Sequence, residues 1–448
     1  MKRRILFTLF GLFLCIPLFS QADDSTYRKE GFTFGILPAI SYDADLGFQY
    51  GGLTNLYWYG DGTNYPDYNH SLYIEYSKYS AGSTLLRFYY DSPIFIKNVR
   101  TTADLTWFRD LALDFYGFNG RDAVYNSAWE DDTSEDYQSR VFYRHHREMF
   151  RIMTNFKGKI RNDHPQWEWM AGMVYFDFNI GSVDIDRLNK NKDEEDKLPE
   201  IDGLYDKYLD WNLIPTQEAN GGRHAYLKVG ISYDTRDILA NPSKGLWTEV
   251  FLSSMPAFLS SHNSHFTRIN LYHRQYFALN NKRNLIAAYR IGWQHKLSGI
   301  IPFYLLPHMA SSILTSATSQ GLGGSKTLRG INRNRIVGNG NLLTNVELRW
   351  KMWQTKLFKQ NFYLGTNYFV DMGLVTQEYK IDKSIAMDEL EEDYHLYFND
   401  SKDKPHCSYG LGLKAALNEN FVLSADYGIA ANDQDGSSGL YITLNYLF

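Results

Sequence analysis

Along much of the chain, apolar and polar residues alternate one by one. Over 71–79, Leu72, Ile74 and Tyr76 alternate with Tyr73, Glu75 and Ser77. Over 226–234, Leu227, Val229, Ile231 and Tyr233 alternate with Lys228, Gly230 and Ser232. Over 342–352, Leu342, Val346, Leu348 and Trp350 face one way, and Asn345, Glu347, Arg349 and Lys351 the other. Over 438–448, Leu440, Ile442, Leu444, Tyr446 and Phe448 are set against Tyr441, Thr443, Asn445 and Leu447. A period of two residues belongs to β-strands whose two faces meet different media. The polar faces carry too much charge for a soluble core. The apolar faces are too regular for a surface in water. The pattern predicts strands with lipid on one side and a wet interior on the other.

About sixteen such segments can be marked, an even number as in bacterial barrels. They run over 31–42, 46–58, 68–79, 82–92, 98–112, 138–159, 165–181, 222–236, 245–255, 263–279, 283–297, 340–352, 359–372, 407–417, 420–430 and 438–448. The four long connections, 113–137, 182–221, 298–339 and 373–406, each follow an odd-numbered strand and so emerge on one side. Connections after even-numbered strands are short, such as 280–282. Short periplasmic turns and long extracellular loops are the asymmetry of outer-membrane barrels. Unpaired backbone groups in lipid cost several kcal/mol each, so the sheet has to close on itself. The expectation is an all-β chain forming a single transmembrane antiparallel β-barrel of about 16 strands.

Composition narrows the alternatives. Aromatic residues make up 16% of the chain, with 34 Tyr, while the mean hydropathy is −0.41. A helical membrane protein would be far more apolar, whereas a barrel averages its two faces and carries aromatic girdles at both interfaces. A secreted β-sandwich or propeller is the competing reading, and the charged alternating faces argue against it. Residues 1–22 have the form of a secretory signal. Lys2, Arg3 and Arg4 precede an apolar run from Ile5 to Phe19, and Ser20-Gln21-Ala22 offers a cleavage site. The run is too short to span a membrane, which takes about 20 apolar residues. Loss of this segment leaves Cys407 as the only cysteine, which excludes a disulfide framework. It also leaves 43 of the 46 basic groups against 51 acidic ones, a balance that argues against a nucleic-acid partner. Residues 23–30 form a short lead and 31–448 the barrel. The lead is smaller than the roughly 50 residues of an independent periplasmic domain.

No sequence feature points to catalysis, a cofactor or a metal. Gly323-Gly324-Ser325-Lys326-Thr327 lacks the glycine that a phosphate-binding loop places directly before its lysine. His145 and His146 are adjacent rather than one helical turn apart, as a zinc motif would need, and are expected in the bore or at its rim. The acidic runs 193–196 and 388–393 lack the spacing of a calcium loop and are expected as solvated loops. No Gly-x-Ser-x-Gly nucleophile elbow occurs.

One long loop and the strands after it stand out. Gly321-Leu322-Gly323-Gly324-Ser325-Lys326-Thr327-Leu328-Arg329-Gly330-Ile331 is followed by Leu342-Leu343-Thr344-Asn345-Val346-Glu347-Leu348-Arg349, then by Tyr368-Phe369-Val370-Asp371-Met372-Gly373. Upstream lie Asp234-Thr235-Arg236-Asp237 and Pro242-Ser243-Lys244-Gly245, and near the start Pro38-Ala39-Ile40-Ser41-Tyr42 before Gly47-Phe48. Together these resemble the BamA/TamA superfamily of outer-membrane assembly and translocation barrels, the bacterial surface antigen family. The resemblance runs from about residue 31 to 448 and is strongest after 222. It implies that the long loop folds back into the lumen, and that the arginine of its hydrophobe-Arg-Gly-hydrophobe motif, Arg329 before Gly330, pairs with acids matching Glu347 and Asp371. The alternation independently points Glu347 and Asp371 inward, and a guanidinium is a planar fork that two carboxylates can satisfy. The rival reading leaves Arg329 solvated beside Arg333 and Arg335.

The resemblance also sets the functional expectation. Members insert outer-membrane proteins or move polypeptides through or past the barrel, and a weak seam between first and last strands offers a route. Gly31, Gly35 and Pro38 weaken the first strand, since Pro38 has no N–H for a ladder. Tyr446 and Phe448, aromatic and near the end of the last strand, resemble the signal by which outer-membrane barrels are recognised for insertion. The implied partners are outer-membrane lipid and lipopolysaccharide, client polypeptides, and assembly-machine or lipoprotein subunits. Well-studied members carry periplasmic polypeptide-transport domains before the barrel; the short lead 23–30 is expected to hold none, a departure that would leave substrate capture to another protein or to none. A passive solute channel or a structural outer-membrane protein is the alternative.

Overall fold

The computed structural model describes residues 29–65, 67–239, 241–308, 321–357, 360–417 and 421–448. The expected signal at 1–22 and most of the lead lie outside them. Among the described residues sixteen strands run as β1 (Gly31–Asp43), β2 (Gly47–Gly60), β3 (His70–Tyr79), β4 (Thr84–Ile96), β5 (Val99–Asp114), β6 (Arg144–Lys159), β7 (Trp167–Gly181) and β8 (Gly221–Asp234). They continue as β9 (Gly245–Met255), β10 (Phe266–Ala278), β11 (Leu285–Gly299), β12 (Gly340–Leu357), β13 (Gln360–Gln377), β14 (His406–Leu417), β15 (Phe421–Ala430) and β16 (Ser438–Leu444). Each pairs antiparallel with its neighbour in sequence, and β1 meets β16 to close the barrel.

Burial is inverted relative to a protein that packs an apolar core. On β12 Val346, Leu348 and Trp350 are exposed, while Asn345, Glu347 and Arg349 are buried. On β8 Leu227, Val229 and Ile231 are exposed, and Lys228 and Ser232 buried. An exposed band of this kind is stable only against lipid, because single exposed apolar residues are normal in water but a continuous belt is not. The inner wall is held by charge. Asp104 lies between Arg87 and Arg151, Asp110 meets Arg147, and Glu249 meets Arg274.

The long connections differ from solvated loops. Those after β5, β7, β11 and β13 gather at one end of the barrel and bury an aromatic cluster that includes Phe115, Trp129, Tyr143, Tyr208, Trp211, Phe303 and Phe398. Residues 138–143, expected as the start of β6, belong to this cap. Phe142 and Tyr143 are buried in it, and pairing with β5 begins only at Arg144. The acidic run 388–393 falls on a helix, Ser384–Leu390, and the 3-10 turn after it.

β12 and β13 run further than expected, to Leu357 and Gln377. The last strand is shorter. β16 stops at Leu444, where Asn445 takes φ 67°. The expectation that Tyr446 and Phe448 continue the lipid-facing row is therefore corrected. Left-handed backbone ends a strand and swings the following residues off its face. Tyr446 is buried in the bore, with Tyr363, Ala416 and Val422 around it.

Candidate functional site

Described residues 321–339 of the loop after β11 lie inside the barrel as a lid. The lid folds on itself first, with Leu322 and Ile336 exchanging backbone hydrogen bonds at 3.1 Å. Leu322, Leu328, Ile331 and Ile336 then pack on Phe251, Tyr272, Leu343 and Val375 of the wall. This apolar patch inside a charged bore seats the lid on β9 to β13.

Arg329 stands at the centre, with 1% of its surface exposed. Its Nε and Nη2 donate to the two oxygens of Asp371 at 2.9 and 3.0 Å, and its backbone N–H donates to Asp371 as well. Nη1 lies 2.7 Å from Glu347, an ion pair that lacks hydrogen-bond geometry. β12 and β13 thus bring both acids named from the sequence onto the one guanidinium. Three neighbours were not visible in the sequence. Asp426 on β15 stands 3.6 Å from Nη1, the Phe369 ring lies 3.5 Å below the guanidinium, and Tyr441 on β16 accepts from the Gly330 N–H. Burial alone would lower the pKa of Arg329, but Asp371, Glu347 and Asp426 outweigh it and hold the pKa above its ordinary value.

Gly330 is needed for closeness. It takes φ 92°, and a Cβ there would lie 2.5 Å from the backbone of Gly428 on β15. Two glycines face each other, so the lid backbone touches the wall backbone.

The neighbouring arginines are not solvated. Arg333 donates to Asp114 on β5 at 2.7 Å, and Arg335 donates to the carbonyls of Gln434, Gly120 and Ala123. The lid is therefore tied to opposite walls and to the cap above it. In that cap Glu218 accepts from the Phe303 N–H at 2.8 Å, and burial raises its pKa to about 7. Glu130 is likewise raised to about 7 by burial, despite Arg144 nearby.

The other motifs do structural work. Asp237 accepts from the N–H groups of Ile238, Ser243 and Lys244, while Arg236 pairs with Asp234 and lies 4.1 Å from the Trp247 ring centre. These contacts shape the turn between β8 and β9. His145 is buried against the Tyr205 ring. No group of metal-ligating side chains occurs among the described residues.

A closed barrel with a lipid-facing belt, a charged bore and an arginine-anchored lid defines a bacterial outer-membrane β-barrel protein. The Omp85 superfamily domain matches residues 68–448, and the chain belongs to that superfamily. Its fold is similar to the solved structure of BamA from Haemophilus ducreyi lacking POTRA domains 1–3, at 15% identity and a TM-score of 0.54. That likeness covers 93% of this chain and 70% of the other. CdiB from Escherichia coli is similar at 9% identity and a TM-score of 0.56, over 94% of this chain and 64% of that one. At these identities the likeness is one of fold. No curated protein matches the chain. In the outer membrane, the short-turn end of the barrel faces the periplasm and the cap faces outward.

Proposed function

We propose that this barrel assists the assembly or translocation of outer-membrane polypeptides at a seam between β1 and β16, while Arg329 clamps the lid across the bore. The observation that carries the reading is uneven pairing. β1 is paired with β2 from Gly31 to Asp43, but with β16 only at Tyr42–Ile442 and Asp43–Tyr441. Among the described residues, no strand pairs with the β16-facing edge of β1 from Gly31 to Ser41. An unpaired edge in lipid is costly and templates any strand that can satisfy it. Addition of a strand to such an edge recognises backbone first and side chains second, which suits a range of client sequences. A lid that joins β5, β12, β13 and β15 keeps the bore filled while the seam works.

A disulfide across the seam tests this. Tyr42→Cys with Ile442→Cys, in a Cys407→Ser background, locks the last paired position when oxidised. The expected outcome is a fall in newly assembled outer-membrane proteins under oxidising conditions, restored by reductant. Equal assembly in the locked and reduced states would rule the seam out.

A further inference from the structure

The outer surface of the barrel changes character on β3 to β6 just below the cap. Thr106, Phe108 and Asp110 of β5 are buried on the bore side, so Trp107 and Arg109 between them face outward. Pairing across the strands sets outward residues in rows. One row runs Tyr76, Leu86, Trp107 and Phe150. Two residues nearer the cap the row is Lys78, Thr84, Arg109 and Glu148, with no apolar side chain in it. Aromatic girdles mark the border between hydrocarbon and headgroups. The polar row beyond the aromatic one therefore lies at the height of the outer-leaflet headgroups.

The cations of this row have no counter-charge in the protein. Among the described residues neither Lys78 nor Arg109 forms an ion pair. Arg109 Nε is buried without a hydrogen-bond partner, and its guanidinium carbon lies 5.5 Å from the Trp107 ring centre. Glu148, directly across from Arg109, is instead engaged by the indole, whose Nε1 donates to it at 2.7 Å. Nearer the cap, His146 has both Arg109 and Arg187 as electrostatic neighbours, and Arg187 is exposed on the loop after β7. Lys78 and Arg109 stand one strand apart, so their backbones are separated by two strand spacings, about 10 Å.

A cation that faces outward at this height meets neither the bore nor open water but the headgroup layer. Guanidinium binds phosphate through a planar fork, and an ammonium serves as a point charge beside it. The aromatic row beneath offers acyl chains an apolar wall. We propose that the patch centred on Lys78 and Arg109, with Arg187 at its upper edge, is a binding site for a phosphorylated glycolipid of the outer leaflet. Its phosphates lie on the cations and its acyl chains run down over Tyr76, Leu86 and Phe150. The site uses β3 to β6 and the loop after β7, and it does not depend on the seam between β1 and β16.

The test uses the full chain refolded in detergent without lipid and titrated with bisphosphorylated lipid A, followed by native mass spectrometry. The double variant Lys78→Gln, Arg109→Gln is expected to bind roughly tenfold or more weakly, the worth of one or two charge-assisted contacts. Glu148→Gln, which removes the acid from the row, is expected to bind more tightly, an effect that a merely structural role would not produce. Lipid A stripped of its phosphates is expected to bind the unaltered chain and the double variant equally weakly. Inorganic phosphate is expected not to displace bound lipid A. Equal binding of the two lipids by the unaltered chain, or equal binding of lipid A by the unaltered chain and the double variant, overturns the proposal. Displacement by inorganic phosphate alone overturns it as well, since the site would then hold a free anion. Unchanged heat-modified gel mobility shows that the variants are folded. Should the double variant not fold, the contrast between the two lipids on the unaltered chain still decides.

Discussion

At Arg329, position matters more than charge. A lysine would keep the charge but not the planar fork that spans both oxygens of Asp371 and still reaches Glu347. Removing one member of a buried ion pair strands the others without compensation, at about 3–5 kcal/mol. Arg329→Ala is therefore expected to loosen the lid by that order, with Arg329→Lys recovering only part of it. Protease cleavage within 321–339 and heat-modified gel mobility report the loss, and an unchanged pattern would exclude the clamp. A second expectation concerns pH. Glu218 and Glu130 have pKa values raised by burial from 4.5 to about 7, so the closed cap holds their protons more tightly than an opened one. Their contribution to closure is full below about pH 4.5, falls as pH rises toward about 7, and is flat above that. Hydrogen exchange in the cap should quicken between those limits, and Glu218→Gln should reduce the slope. The acids Glu347 and Asp371 were legible because motif and alternation both marked them. Asp426, Phe369 and Tyr441 were not. Their approach depends on how far the lid descends, which no local spacing encodes.

Strands were the most legible elements, because a lipid-facing wall forces a period of two wherever the chain crosses. Their ends were less so. Residues 138–143 carry strand-like aromatics that are drawn into the cap, and β16 was read four residues too long because Tyr446 and Phe448 keep the alternation after Asn445 has left it. Aromatic character alone does not say whether a ring meets lipid or a buried arginine. The Gly330–Gly428 contact gives an element-scale prediction. Gly330→Ala places a methyl into the β15 backbone at positive φ, and strain of this kind costs about 1–3 kcal/mol. The lid should lift from β15 while β12 and β13 stay paired. Loss of lid protection with unchanged strand content by circular dichroism is the expected result.

For the whole molecule, a lid seated inside the bore and anchored by Arg329 is expected to obstruct the path through it. Conductance in planar bilayers should be small and irregular, rising when Arg329 is replaced. Large, steady openings from the unaltered protein would favour a passive solute channel. The lid's anchors also lie unevenly along the chain. Arg329 is neutralised by residues on β12, β13 and β15, and its neighbour Gly330 is met by β16, all of them later in sequence. During its own folding, a barrel still short of its final hairpin holds a guanidinium with part of its counter-charge absent. Full docking of that loop is then expected only once the cylinder is complete. An unfinished product is expected to stay more open to proteolysis within 321–339 until its last strands arrive, so that the order of the polypeptide would itself mark completion.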